Sequence, residues 1–249
     1  MKRILSVLIV VLILISCVPT GYAANKEIQI KEYNDLQSLI KEQSMLKNDL
    51  HQKANALREI GYTDDSMEIQ LLKYHWHKAN VLYKEYKNTY MTKYVNNDDF
   101  WTEEMKQYPT ATYVWRYLKG LMYSDEICAG IIGNMMIECA GGTLNLNWNI
   151  YDASGCYYGL CQWSKSGYPM VQGKDLKTQM NVLRDSIKFQ IDYAGFVYGG
   201  KGFDYEDFLK ISDPGEAALC FAKAYERCAA QYVAPRAKYA KIAYDYFVK

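Results

Sequence analysis

Apolar residues open the chain as an almost unbroken run, Ile4 to Ile15, behind the positive charges of Lys2 and Arg3. Pro19 and Gly21 then break any helix, and Gly21-Tyr22-Ala23 sets small residues at the two positions read by a signal peptidase. Crossing a bilayer core takes about 20 apolar residues, more than this run offers. The pattern predicts a secretory signal peptide over residues 1–23. The same stretch holds a second processing signal, since Leu14-Ile15-Ser16-Cys17 fits a lipoprotein box in which Cys17 becomes the lipidated N-terminus. Either route carries the chain out of the cytoplasm, to be secreted or held at the cell wall.

Beyond the leader, Leu36, Leu39, Leu46, Leu50, Leu57 and Ile60 recur at alternating steps of three and four, with the polar Gln43 and Lys53 in two slots. That is a heptad seam. Gly61 to Asp65 interrupts it, and Asp65 with Glu68 reads as a capping box for a second helix. Leu71, Leu72, His75, Trp76, Ala79, Leu82, Tyr83, Tyr86 and Tyr90 then fall at helical spacing. The short interruption predicts an antiparallel helical hairpin or coiled coil over residues 26–95, with Asn96 to Asp99 ending it. All three histidines (His51, His75 and His77) lie in this hairpin. His75 and His77 are two apart and share no helix face, so they read as packing or surface residues. Nothing in the hairpin has a catalytic pattern; it reads as a spacer, a self-association element or a dock for a protein partner.

A second unit is expected from about Tyr108-Pro109, covering residues 108–249. Ser124-Asp125-Glu126 is a helix start, a capping serine followed by acids at the positive helix end. Ile127, Ile131, Met135 and Glu138 lie on one stripe of that helix, which Gly141-Gly142 stops. Leu144 to Ile150 alternates apolar and polar residues, the pattern of a half-buried strand or extended wing. Cys156 to Trp163 is a second short segment that could pair with it. Leu176, Met180, Leu183, Ile187 and Ile191 form another helical stripe. Asp213-Pro214-Gly215-Glu216 starts a further helix, and Pro235 begins the last. The fold class expected is mainly α (α+β), with a small β wing beside the helices.

Composition narrows the function classes. Lys and Arg number 29 against 28 Asp and Glu, so no basic surface argues for nucleic acid. The 24 tyrosines and 5 tryptophans suit cores, interfaces and sugar stacking alike. Cys128, Cys139, Cys156, Cys161, Cys220 and Cys228 follow the leader. In an exported chain they permit disulfides, and as buried thiols they pack like small apolar residues. No Cys-x-x-Cys pair or histidine-bearing spacing accompanies them, so neither a zinc site nor any other cofactor is expected.

Glu138 is the candidate catalytic residue. A carboxyl facing an apolar core is costly as an anion, and a carboxylic acid kept protonated is what glycosidic bond cleavage requires. The competing reading is a structural glutamate satisfied by hydrogen bonds near the helix end. A core helix ending in glutamate and followed by a small sheet is also the layout of lysozyme-like enzymes. Ala129-Gly130-Ile131-Ile132-Gly133-Asn134-Met135-Met136-Ile137-Glu138-Cys139 resembles the motif of phage tail lysozymes, a family of lysozyme-like peptidoglycan hydrolases. Tyr158-Gly159-Leu160-Cys161-Gln162-Trp163 resembles the family's second motif. Tyr225-Glu226-Arg227 with the later Arg236 resembles its C-terminal helix. The three run in order from about Tyr113 to the C-terminus, and the hairpin lies outside them. The resemblance implies that Glu138 is the catalytic acid, that Tyr158, Gln162 and Trp163 contact sugars, and that the partner is the peptidoglycan glycan strand. Cys139 stands where many members have serine.

A second carboxylate is less marked. Asp152 lies in the turn facing the expected cleft and is the candidate, against its reading as an ordinary turn aspartate. Glu226 is another acid in an apolar helix; its neighbour Arg227 and the family pattern imply a structural ion pair, with catalysis as the lesser alternative. If no second acid acts, Glu138 could serve as acid and then base in a lytic transglycosylase. Two other classes remain open: a Cys-His wall peptidase, disfavoured because every histidine sits in the hairpin, and a non-catalytic module that binds wall or a partner. A serine hydrolase is disfavoured because no Gly-x-Ser-x-Gly occurs.

Overall fold

A computed structural model describes residues 22–198 and 204–248. The expected signal peptide and Cys17 lie almost wholly outside the described residues. The chain divides between Tyr90 and Met91 into two compact units.

The first unit is a pair of helices, α1 (Tyr22–Glu59) and α2 (Met67–Tyr90). Gln37 Nε2 donates to the Tyr90 hydroxyl at 2.8 Å, and Arg58 meets Asp64 at 2.8 Å across the connecting turn. The helices therefore run antiparallel. The buried face of α1 differs from the heptad seam: Tyr33, Ile40, Leu50 and Ala54 are buried, whereas Leu46 and Ile60 are exposed. Aromatic contacts set this rotation. Tyr33 packs on Tyr90 with ring centroids 5.2 Å apart, and the Lys47 ammonium lies over the rings of Trp76 and Tyr83.

The second unit is built around α5 (Asp125–Ala140), preceded by α3 (Thr102–Gln107) and α4 (Pro109–Gly120). Ser124 caps α5 by accepting from Ile127 N, an interaction worth about 1 kcal/mol. Ile127, Ile131 and Met135 are fully buried as the stripe required, but so are Cys128, Ala129, Ile132 and Met136. The helix is thus enclosed on most sides rather than amphipathic. Two glycines allow this. A methyl group on Gly130 would lie 2.6 Å from the Ala217 side chain, and one on Gly133 would lie 2.5 Å from the Ala240 nitrogen. The helices touching α5 at those points are α8 (Pro214–Phe221) and α9 (Ala234–Val248).

Between α5 and α6 (Leu176–Tyr198) lies the wing. Its strands are β1 (Tyr157–Tyr158) and β2 (Trp163–Ser164), antiparallel, with Tyr158 opposite Trp163. The expected first strand, Leu144 to Ile150, is not one. Burial does alternate there, Leu144 and Leu146 inward and Asn145 and Asn147 outward. Its amides, however, bond locally, Leu146 N to Leu144 O and Asn149 N to the Asn147 side chain. Its backbone link to the wing is an isolated bridge, Tyr151 to Tyr158. Helix α7 (Tyr205–Phe208) precedes α8, and a π-helical turn over Ala222–Glu226 follows it. Asp213 caps α8 through Glu216 N at 2.8 Å, with Pro214 in the first turn. Trp115 stacks on Phe247 at 4.6 Å, closing the core on the α4 side.

Candidate active site

Glu138 sits in the last turn of α5. Gly141 ends that helix in the left-handed conformation, at φ 58°, and Gly142 N bonds back to Met136 O at 2.8 Å. This stop leaves the Glu138 side chain half-open, 19% exposed. It is not a lone carboxylate. The Arg236 guanidinium of α9 donates from Nη2 to Glu138 Oε1. Arg236 is itself 3% exposed at its side chain and is oriented by two further bonds, Nη1 to Asn134 Oδ1 at 2.8 Å and Nε to Tyr232 O at 3.1 Å. Asn134 is held in turn, its amide donating to Gly130 O and Ala218 O. Arg236 and Asn134 are therefore fixed behind Glu138 before any substrate arrives.

Glu226 shares this cluster. The expected pair with Arg227 does not form: Arg227 donates instead to Gln190 and lies over the Tyr193 ring. The π-helical turn ends at Arg227 in a left-handed conformation, which accounts for the two side chains parting. Glu226 turns inward, and its Oε1 is buried without a hydrogen-bond partner. Burial, and after it the charge of Glu138, push the Glu226 carboxyl well above the usual carboxylate range, against the pull of Arg236. Burial also acts against the Arg236 charge, but Glu138 and Glu226 outweigh it and keep the guanidinium firmly protonated.

The wing meets the same cluster through Cys161, a buried thiol that interacts electrostatically with Glu226. Beside it, Gln162 is held at φ 44°, a left-handed conformation uncommon for a non-glycine residue and often found at functional positions. Gln162 is half-buried, and its Nε2 donates to Gly159 O at 2.9 Å. Gly159 is required where it stands, since a methyl there would lie 2.3 Å from Gln179 Oε1. That buried glutamine, missed in the sequence reading, clamps the wing: it accepts from Leu160 N and donates to Trp148 O and Lys174 O.

Tyr158 and Trp163 are placed inside. Tyr158 is fully buried, with its hydroxyl 2.9 Å from Asn149 Oδ1 and 3.1 Å from Lys174 O, either of which accepts its one proton. Trp163 is 3% exposed and donates to the Tyr225 hydroxyl at 3.0 Å. Both brace the wing and offer no open ring face.

Asp152 is consumed by its own loop. Oδ1 accepts from Cys156 N and Tyr157 N, both at 2.9 Å, and Oδ2 accepts from the Ser154 hydroxyl and amide. The Ser154 side chain first, then the Tyr157 amide, hold its carboxyl down at about 2. The arrangement is that of a turn-organising aspartate.

The six cysteines of the described residues are free thiols. Burial pushes Cys139 up to about 12 and Cys161 well above the ordinary thiol range, so neither is an activated nucleophile. Among the described residues no cluster of three or more histidine, cysteine, aspartate or glutamate side chains is arranged to hold a metal.

The family model for phage tail lysozyme matches residues 109–247. No curated protein and no solved structure matches the chain.

Proposed function

The chain belongs to the phage tail lysozyme family, and from that premise we propose that it cleaves peptidoglycan glycan strands with Glu138 as the general acid. Membership implies a lysozyme-like glycosidase acting on peptidoglycan; the role of Glu138 and the route out of the cell are the proposal. The observation that carries it is the half-open Glu138 carboxyl at a glycine-stopped helix end, backed by a buried arginine already fixed by Asn134 and Tyr232. A preorganised charge at the reacting centre is the largest catalytic contribution a static protein makes. In this reading Glu138 gives its proton to the glycosidic oxygen as the bond breaks, and Arg236 stabilises the carboxylate left behind. Gln162, strained and close to the cluster through its neighbour Cys161, contacts the sugar. Tyr158 and Trp163 act from within, setting the wing that presents Gln162.

Hydrolysis requires a second carboxylate or an otherwise activated water. A lytic transglycosylase does not, since its first step uses a substrate hydroxyl. This second reading is favoured by one observation: Asp152 is spent on its loop, and Glu226 is turned inward with a buried, unpartnered oxygen.

The test is digestion of purified peptidoglycan by the full mature chain, with products identified by mass spectrometry. New reducing sugar ends establish a hydrolase, and anhydro-muramyl ends a transglycosylase; release of stem peptides alone sinks the proposal. Export belongs to the same reading, resting on the leader pattern. Chain recovered from outside the cell should begin at Ala24, or at a lipidated Cys17; a chain retaining Met1 and the leader contradicts it.

A further inference from the structure

One group in the cluster has no role in the chemistry so far. The Glu226 carboxyl is costly where it stands, an acid with a buried oxygen that nothing bonds. It interacts electrostatically with Glu138 of α5 and with Arg236 of α9, which are themselves hydrogen-bonded, and with the thiols of Cys139, Cys161 and Cys228. All three thiols are pushed up by burial and carry no charge near neutrality. The enclosed groups that decide the local charge are therefore two carboxyls and one guanidinium. One positive charge balances one carboxylate, and a second carboxylate in the same dry space would be uncompensated.

We infer that Glu226 is the positioning residue of this site, storing the proton that Glu138 delivers and exchanging with Glu138 for the charge of Arg236. In the described arrangement Glu138 is the carboxylate on Arg236 and Glu226 is the acid. In the exchanged arrangement Glu226 is the carboxylate facing Arg236 and Glu138 is the acid, turned to its open side. The exchange moves one proton from a Glu226 oxygen to a Glu138 oxygen; no other covalent bond changes, and the net charge of the trio is constant. This rests on the reading of Glu138 as the catalytic acid, and it supplies a source for the proton that this acid delivers.

Two measurements on the full mature chain test it. The first is the pH profile of glycan cleavage in the parent, Glu226→Gln and Glu226→Asp. Glu226→Gln should lower the rate at neutral pH by about tenfold or more and move the alkaline limb to lower pH by about one unit. Glu226→Asp should recover much of both. A loss equal at every pH, with an unmoved limb, marks a merely structural residue and overturns the inference. The second measurement needs no activity: infrared spectroscopy of the buried protonated carboxyl at neutral pH. Its band should be present in the parent, absent in Glu226→Gln, and weakened in Glu138→Gln, where Glu226 faces Arg236 without a rival. No band in the parent, or a band of full strength in Glu138→Gln, overturns the exchange. If Glu226→Gln fails to fold, the parent and Glu138→Gln spectra decide alone. A parent with the expected spectra and no glycan cleavage would instead sink the proposed function.

Discussion

Asp152 and Glu138 belong to the same unit, Glu138 as the candidate acid and Asp152 as the candidate second carboxylate, but their surroundings differ in kind. The oxygens of Asp152 accept from the Ser154 hydroxyl and from three backbone amides within five residues, all on an exposed loop. Those donors stabilise the anion and hold its carboxyl at about 2, so it is a poor base and has no proton to donate near neutrality. The Glu138 carboxyl accepts from a guanidinium supplied by a helix 98 residues further along the chain. That arginine faces a second, inward-turned carboxyl as well. Local amides give a carboxylate a fixed, satisfied state. A distant arginine shared between two carboxyls gives a state that can be exchanged. The difference separates a residue that shapes a loop from one that can move a proton.

Removing the shared cation should break this comparison most severely. Arg236→Met leaves Glu138 and Glu226 without a counter-charge, and breaking a buried pair in this way costs about 3–5 kcal/mol. The melting temperature should fall by roughly ten degrees and glycan cleavage should be lost. A stable, active Arg236→Met protein would show that the cluster is not the site.

A smaller effect is expected at Asp152, and it concerns stability alone. The folded carboxyl sits at about 2 against an ordinary 3.8, so its contribution is fully present above the ordinary value and is lost as pH falls through the folded one. Asp152→Asn should therefore lower the melting temperature at neutral pH. It should also flatten the decline in stability between about pH 4 and pH 2 relative to the parent, read by thermal melts across that range. An unchanged acid decline would mean that the loop contacts do not hold in solution.

How much of this was legible in the sequence follows from the range of the interactions. The α5 start at Ser124, its stop at Gly141-Gly142, the α6 stripe and the Asp213-Pro214 cap were readable because caps and periodicity are local signals. The family resemblance named the three motifs that the structure gathers around Glu138. Contacts between segments were not readable. The heptad pattern could not reveal that Tyr33, Trp76 and Tyr83 turn another face of α1 inward. Alternation at Leu144 to Ile150 reported burial correctly but not the absence of a ladder partner. Glu226 lies next to Arg227 in the chain, yet the left-handed turn at Arg227 separates them and sends Glu226 toward Glu138. Gln179 carried no pattern at all, although it clamps the wing through the only space that Gly159 leaves.

The central claim is that Glu138, and not Asp152, is the acid that breaks the glycan strand. Release of soluble muropeptides from purified peptidoglycan, compared among the full-length mature parent, Glu138→Gln and Asp152→Asn, tests it most directly. Glu138→Gln should lower the rate by a factor on the order of a thousand, with Asp152→Asn within about twofold of the parent, as expected for a surface change. Retained cleavage in Glu138→Gln, or its loss in a folded Asp152→Asn, would contradict the account.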